Sequence, residues 1–66
     1  MESGFNYWFY DNFDKIWFYG MFERELYDNF GYKYYVIHKN GVVINYIAFD
    51  ITEYVQVGPA WIPTRT

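Results

Sequence analysis

The side chains able to do acid–base, nucleophilic or metal chemistry are few, and their spacing assembles none of the usual sites. His38 is the single histidine and the only group that titrates near neutrality unperturbed. It stands beside an expected hairpin turn, where exposure is the ordinary state, and a general base needs a positioned partner. Ser3 is the single serine and lies in the terminal segment, so no Ser/His/Asp set forms on an ordered scaffold. The chain has no cysteine, which excludes a thiol nucleophile, a disulfide framework and a thiolate metal site. Glu23 and Glu25 would diverge by about 200° on a helix. Asp11 with Asp14, or Glu25 with Asp28, would face one another only at a helix end, as a cap and a solvated rim. The expectation is therefore a protein that is not an enzyme and holds no cofactor or metal.

The abundant chemistry is aromatic. Nineteen of the 66 residues are Phe, Tyr or Trp, and fifteen of them fall within the first 35 positions. Such rings dominate core and interface energetics. A body of this size, near the lower limit for a self-sufficient core, cannot hide them all. The net charge of −3 argues against a chain whose task is to neutralise phosphates. Five carboxylates against Lys15 and Arg24 place that whole excess between residues 11 and 28. A solvated rim accounts for those charges better than nucleic-acid mimicry does. No signal peptide or bilayer-length apolar run is visible. A cytoplasmic setting without membrane contact is expected, in the host cytoplasm if the chain is viral.

The elements that must position these rings read as one domain, 1–66, with 58–66 a proline-bounded tail. Residues 5–10 prefer a strand. Asp11 or Asn12 supplies an N-cap to a helix over 13–29, in which Phe18, Phe22 and Leu26 make a four-residue stripe and Gly31 the stop. Phe13, Ile16, Trp17, Gly20 and Tyr27 gather on its opposite side. The rival reading makes Ile16-Trp17-Phe18-Tyr19 a strand after a turn, and the fold a small all-β barrel. Asn40-Gly41 sets a two-residue type I′ hairpin between 32–39 and 42–49, pairing Ile37 with Ile44, Tyr35 with Tyr46 and Val36 with Asn45. A short strand over 53–57 follows, and Trp61 either tucks back onto the body or projects. The strings Tyr10-Asp11-Asn12-Phe13 and Tyr27-Asp28-Asn29-Phe30 are identical and are read as two helix boundaries. The expected fold is α+β: one helix on an antiparallel sheet of three strands, or of four if 5–10 adds an edge strand.

This composition implies a non-catalytic protein-binding module. The candidate partner-binding residues are Trp8, Tyr10, Phe13, Trp17 and Tyr27 on one face. Tyr35 and Tyr46 mark a second face, on the uncovered side of the hairpin. A cysteine-free, aromatic chain of this size without a catalytic set resembles, in size and composition, the small inhibitors and adaptors of bacteriophages and mobile elements. That resemblance implies a host enzyme or defence complex as partner. Two alternatives use the same rings: single-stranded nucleic-acid binding by stacking, to which the Gly31-Tyr32-Lys33-Tyr34-Tyr35-Val36 string has a loose likeness but which the charge disfavours, and a self-associating homodimer.

Overall fold

The computed structural model describes residues 1–63, and the end of the expected tail, 64–66, lies outside the described residues. Five antiparallel strands form one sheet: β1 (Asn6–Asp11), β2 (Ile16–Tyr27), β3 (Lys33–Lys39), β4 (Val42–Ile47) and β5 (Ile51–Val55). Their spatial order is β4-β3-β2-β1-β5. A single 3₁₀ turn, η1 (Ala48–Asp50), links β4 to β5.

The helix expected over 13–29, and with it the α+β fold, is therefore corrected to a strand and a nearly all-β architecture. The reason lies in residues 16–22, which are aromatic and β-branched and carry apolar side chains on both sides. In a sheet both sides find cover. Phe18 and Phe22 point into the main core, while Trp17 and Tyr19 stack with residues of β1. The segment expected as an edge strand is interior: β1 pairs with β2 on one side and β5 on the other.

The chain's own connection forces the sheet to coil. Ile47 ends β4 beside Tyr34, which pairs with Leu26 on β2. Ile51 starts β5 beside Asp11, which pairs with Ile16 on β2. Leu26 and Ile16 are ten residues apart, about 33 Å of extended strand. The link from Ile47 to Ile51 spans at most about 14 Å. The two requirements meet only if β2 wraps strongly. A register shift between Phe22 and Arg24 leaves Glu23 as the bulged residue that bends the strand. Phe18 of β2 and Tyr46 of β4 then stack with centroids 4.9 Å apart across the intervening strand. β4 and β5 remain the two edges of the order, so the sheet coils without closing into the alternative barrel.

The concave face holds the core: Tyr7, Phe9, Phe18, Phe22, Ile37 and Ile51, with Met1, Tyr35 and Tyr46 packed against it. Fully burying such side chains is worth about 1.5–3 kcal/mol each. The β3–β4 hairpin has the expected register, from Lys39↔Val42 to Tyr34↔Ile47. Asn40 and Gly41 take the positive φ values, 52° and 79°, that a type I′ turn demands.

Candidate functional site

The two identical strings have a common structure, and it is turn chemistry rather than helix capping. Asp11 Oδ1 accepts from Phe13 N at 2.9 Å, and Asp28 Oδ1 accepts from Phe30 N at 2.9 Å. Each Asp thus ends a strand and folds the backbone two residues on, as Asx turns do. Each following Phe is thrown outward: Phe13 is 78 % and Phe30 86 % exposed.

Asp28 organises the β2–β3 loop more tightly than that one bond implies. Its Oδ1 also accepts from Tyr32 N at 3.0 Å, and its Oδ2 accepts the Tyr34 hydroxyl at 2.9 Å. Its backbone N–H donates to Tyr32 O, while Gly31 N donates to Asp28 O. Desolvation alone would raise the Asp28 pKa, but hydrogen bonds from Tyr32, Tyr34, Phe30 and Gly31 together hold it below the usual carboxylate value. Donation to that carboxylate in turn raises the Tyr34 phenol.

This loop faces η1. Phe30 on the loop and Phe49 on η1, 87 % exposed, line a cleft of about 560 Å³ with Tyr32, Tyr34, Ile47, Asp28 and Asp50. A second, smaller cleft of about 360 Å³ shares Tyr32, Ile47 and Phe49 with the first and adds Lys33 and Tyr35. Tyr32 therefore stands as a wall between two open apolar slots, with Tyr27 exposed at the adjoining end of β2. The base under them is hydrogen-bonded on both sides. Asp28 pins one side, and Asn12 N donates to Asp50 O at 2.7 Å on the other. Asp28 and Asp50 are the two charged residues in the wall of the larger slot. Ion pairs join Glu23 to Arg24 and His38, and Lys33 to Glu25, and among the described residues none involves Asp50.

The expected site residues separate. Trp8, Tyr10 and Trp17 lie together on the convex face, but Trp61 tucks back over them, with centroids 5.7 Å from Trp8 and 5.3 Å from Trp17. The Trp8 indole N–H donates to Gly58 O at 3.0 Å, tying the 58–61 segment down. These rings hold a second, outer core. Tyr35 and Tyr46, expected on an uncovered side, instead pack against the concave core. Phe13 and Tyr27 remain exposed. His38, expected to be solvated, sits 2.6 Å from Glu23 Oε1 through its Nε2. That hydrogen bond is the first cause holding Glu23 below the usual carboxylate value. Sequence reasoning missed Phe30 and Phe49. The signal was present in the hairpin register, which, continued past Ile47, sets Tyr32 opposite Phe49.

Among the described residues no three His, Asp or Glu side chains converge as metal ligands, and no helix is long and apolar enough to cross a membrane. Neither a family model, nor a curated protein, nor a solved structure matches this chain.

Proposed function

We propose that this chain is a non-catalytic protein-binding module of the bacteriophage or mobile-element kind. It acts in the cytoplasm and occludes a host enzyme or defence complex through the surface built by Phe30, Tyr32, Ile47 and Phe49. The observation that carries this reading is the pairing of two almost fully exposed phenylalanines across one cleft on a braced loop. Monomeric proteins seldom leave adjoining large rings in water, and interface anchors are drawn from such residues. Preorganisation by Asp28 lowers the ordering cost of binding. The two carboxylates in the cleft wall, with no basic residue among the described residues lining the larger slot, favour a partner segment that brings a cation alongside its apolar anchors. It disfavours a phosphate backbone.

The test compares affinity capture by the wild-type chain and by the Phe30→Ser/Phe49→Ser double variant, using cytoplasmic extract of the host. The expected result is one dominant protein recovered by the wild type and lost from the variant, whose circular dichroism and melting are unchanged. Equal recovery by both would refute the assignment of this surface.

A further inference from the structure

We infer that the free edge of β4 is a pairing edge for a second copy of this chain, joining two sheets across a two-fold axis. Counted from the two-residue turn, Lys39–Val42, Ile37–Ile44 and Tyr35–Tyr46 are the hydrogen-bonded pairs of the hairpin. The N–H and C=O groups of Val43, Asn45 and Ile47 therefore point away from β3. β4 is an outermost strand; among the described residues no turn or loop hydrogen bond uses the Val43 or Asn45 groups or the Ile47 N–H, while the Ile47 C=O, as N-cap of η1, is given to that turn. Such rows of unpaired groups are normally blunted by charge, proline or a bulge. β5, the opposite edge, carries Glu53 and has a register shift against β1. β4 has none of these protections. It reads Val-Val-Ile-Asn-Tyr-Ile, and its register with β3 is unbroken.

The occupant follows from self-complementarity. An antiparallel copy that sets Asn45 opposite its own equivalent also sets Val43 opposite Ile47, twice, and both are exposed in the single chain. The Asn45 pair exchanges both hydrogen bonds, and in the two flanking pairs the Ile47 N–H of each copy donates to the Val43 C=O of the other, the Ile47 C=O being held by η1. The strand itself is uncharged. Lys39, the last residue of β3, turns its ammonium over the Phe18 ring on the concave face, 4.8 Å from the centroid. Antiparallel pairing of β4 therefore sets no like charges against each other, and the overall charge of −3 gathers elsewhere. This edge is distinct from the aromatic surface except at Ile47, which borders both. The dimer would present that surface twice.

Sedimentation of the whole chain at about 100 μM, a concentration that reveals dimers weaker than most specific pairs, should give twice the 8.1 kDa mass. Asn45→Pro removes an outward N–H and no ladder bond to β3, a substitution edge strands accommodate, and Asn45→Lys sets like charges face to face. Both should be monomeric at that concentration with the wild-type circular dichroism. The chain has no cysteine, so Asn45→Cys should form a disulfide dimer on mild oxidation. The Cα atoms of such a pair lie about 5.5 Å apart, within disulfide reach. Val43→Cys should not cross-link, its equivalents being roughly 13 Å apart along the strands. A wild-type monomer at this concentration would overturn the inference. So would a dimer that survives both Asn45→Pro and Asn45→Lys, or cross-linking of Val43→Cys as readily as Asn45→Cys.

Discussion

Replacing Gly20 by alanine has opposite signs in the two architectures that this sequence allows. Gly20 is buried in the middle of β2, opposite Tyr7. A Cβ placed there lies 2.7 Å from the His38 carbonyl oxygen and 2.9 Å from Ile37 Cγ2. The methyl group of Ile37 has some freedom to yield. The carbonyl belongs to β3 where that strand pairs with β2, and moving it disturbs the ladder. Overpacking of this kind costs about 1–3 kcal/mol, against a gain of about 0.4–1 kcal/mol from the stiffer unfolded chain. The net expectation is a loss of about 1–2 kcal/mol. For a domain of this size that lowers the melting temperature by roughly 5–15 °C. In a helix over 13–29 the same change would instead add about 1 kcal/mol. Urea unfolding followed by tryptophan emission reads the difference directly. A Gly20→Ala chain at least as stable as wild type would refute the packing of β2 against β3 described here.

Three further outcomes follow from other parts of the fold. Trp61→Ala should uncover Trp8 and Trp17, shift their emission to the red and cost about 1–2 kcal/mol through two lost ring contacts; an unchanged spectrum would show that the 58–61 segment does not lie over them. Glu23 has a pKa lowered by folding from an ordinary value of 4.5, first through His38. Its contribution is therefore present above that value and is lost as pH falls through the folded value. The melting-temperature gap between wild type and Glu23→Gln should be full near neutrality and close on acidification below about pH 5, and a gap that widens in acid would contradict the pairing. Asp28→Ala should raise hydrogen exchange at the Phe30 and Tyr32 amides about tenfold or more while amides of β1 keep their protection; unaltered loop exchange would refute the bracing role of Asp28.

The β3–β4 hairpin was legible because its signal is local: two adjacent residues that tolerate positive φ fix a turn, and the turn fixes the register. The long strand β2 was not, because spacing by four satisfies two periods at once. Phe18 and Phe22 share a face in a helix and equally in a strand. What separates the cases is Leu26. A helix would stack it on Phe22, whereas the bulge at Glu23 reverses the alternation and sets Leu26 opposite Tyr34, on the side away from the core. A bulge leaves no periodic trace in sequence, so the stripe looked continuous. Asp11 and Asp28 misled for a related reason. A carboxylate accepting a backbone N–H two residues on begins a helix or closes a hairpin loop with the same bond, and only the strand preference of residues 16–19 distinguished the two.

The surplus of rings divides according to what the fold demands. Phe9 and Phe18 stack inside the coil, and Trp8, Trp17 and Trp61 seal the outer face. Removing any of these would cost packing. Phe30 and Phe49 answer no such demand: the turn at Asp28 needs the Asp and an N–H at position 30, which any residue but proline supplies, and η1 has no buried residue. A polar side chain at either position would leave the sheet as it is and make the surface more soluble. Structural necessity therefore accounts for the clustered tryptophans that the sequence first offered as a contact face. It leaves unexplained two phenylalanines on either side of a braced cleft, the positions to which the proposed docking would give a use.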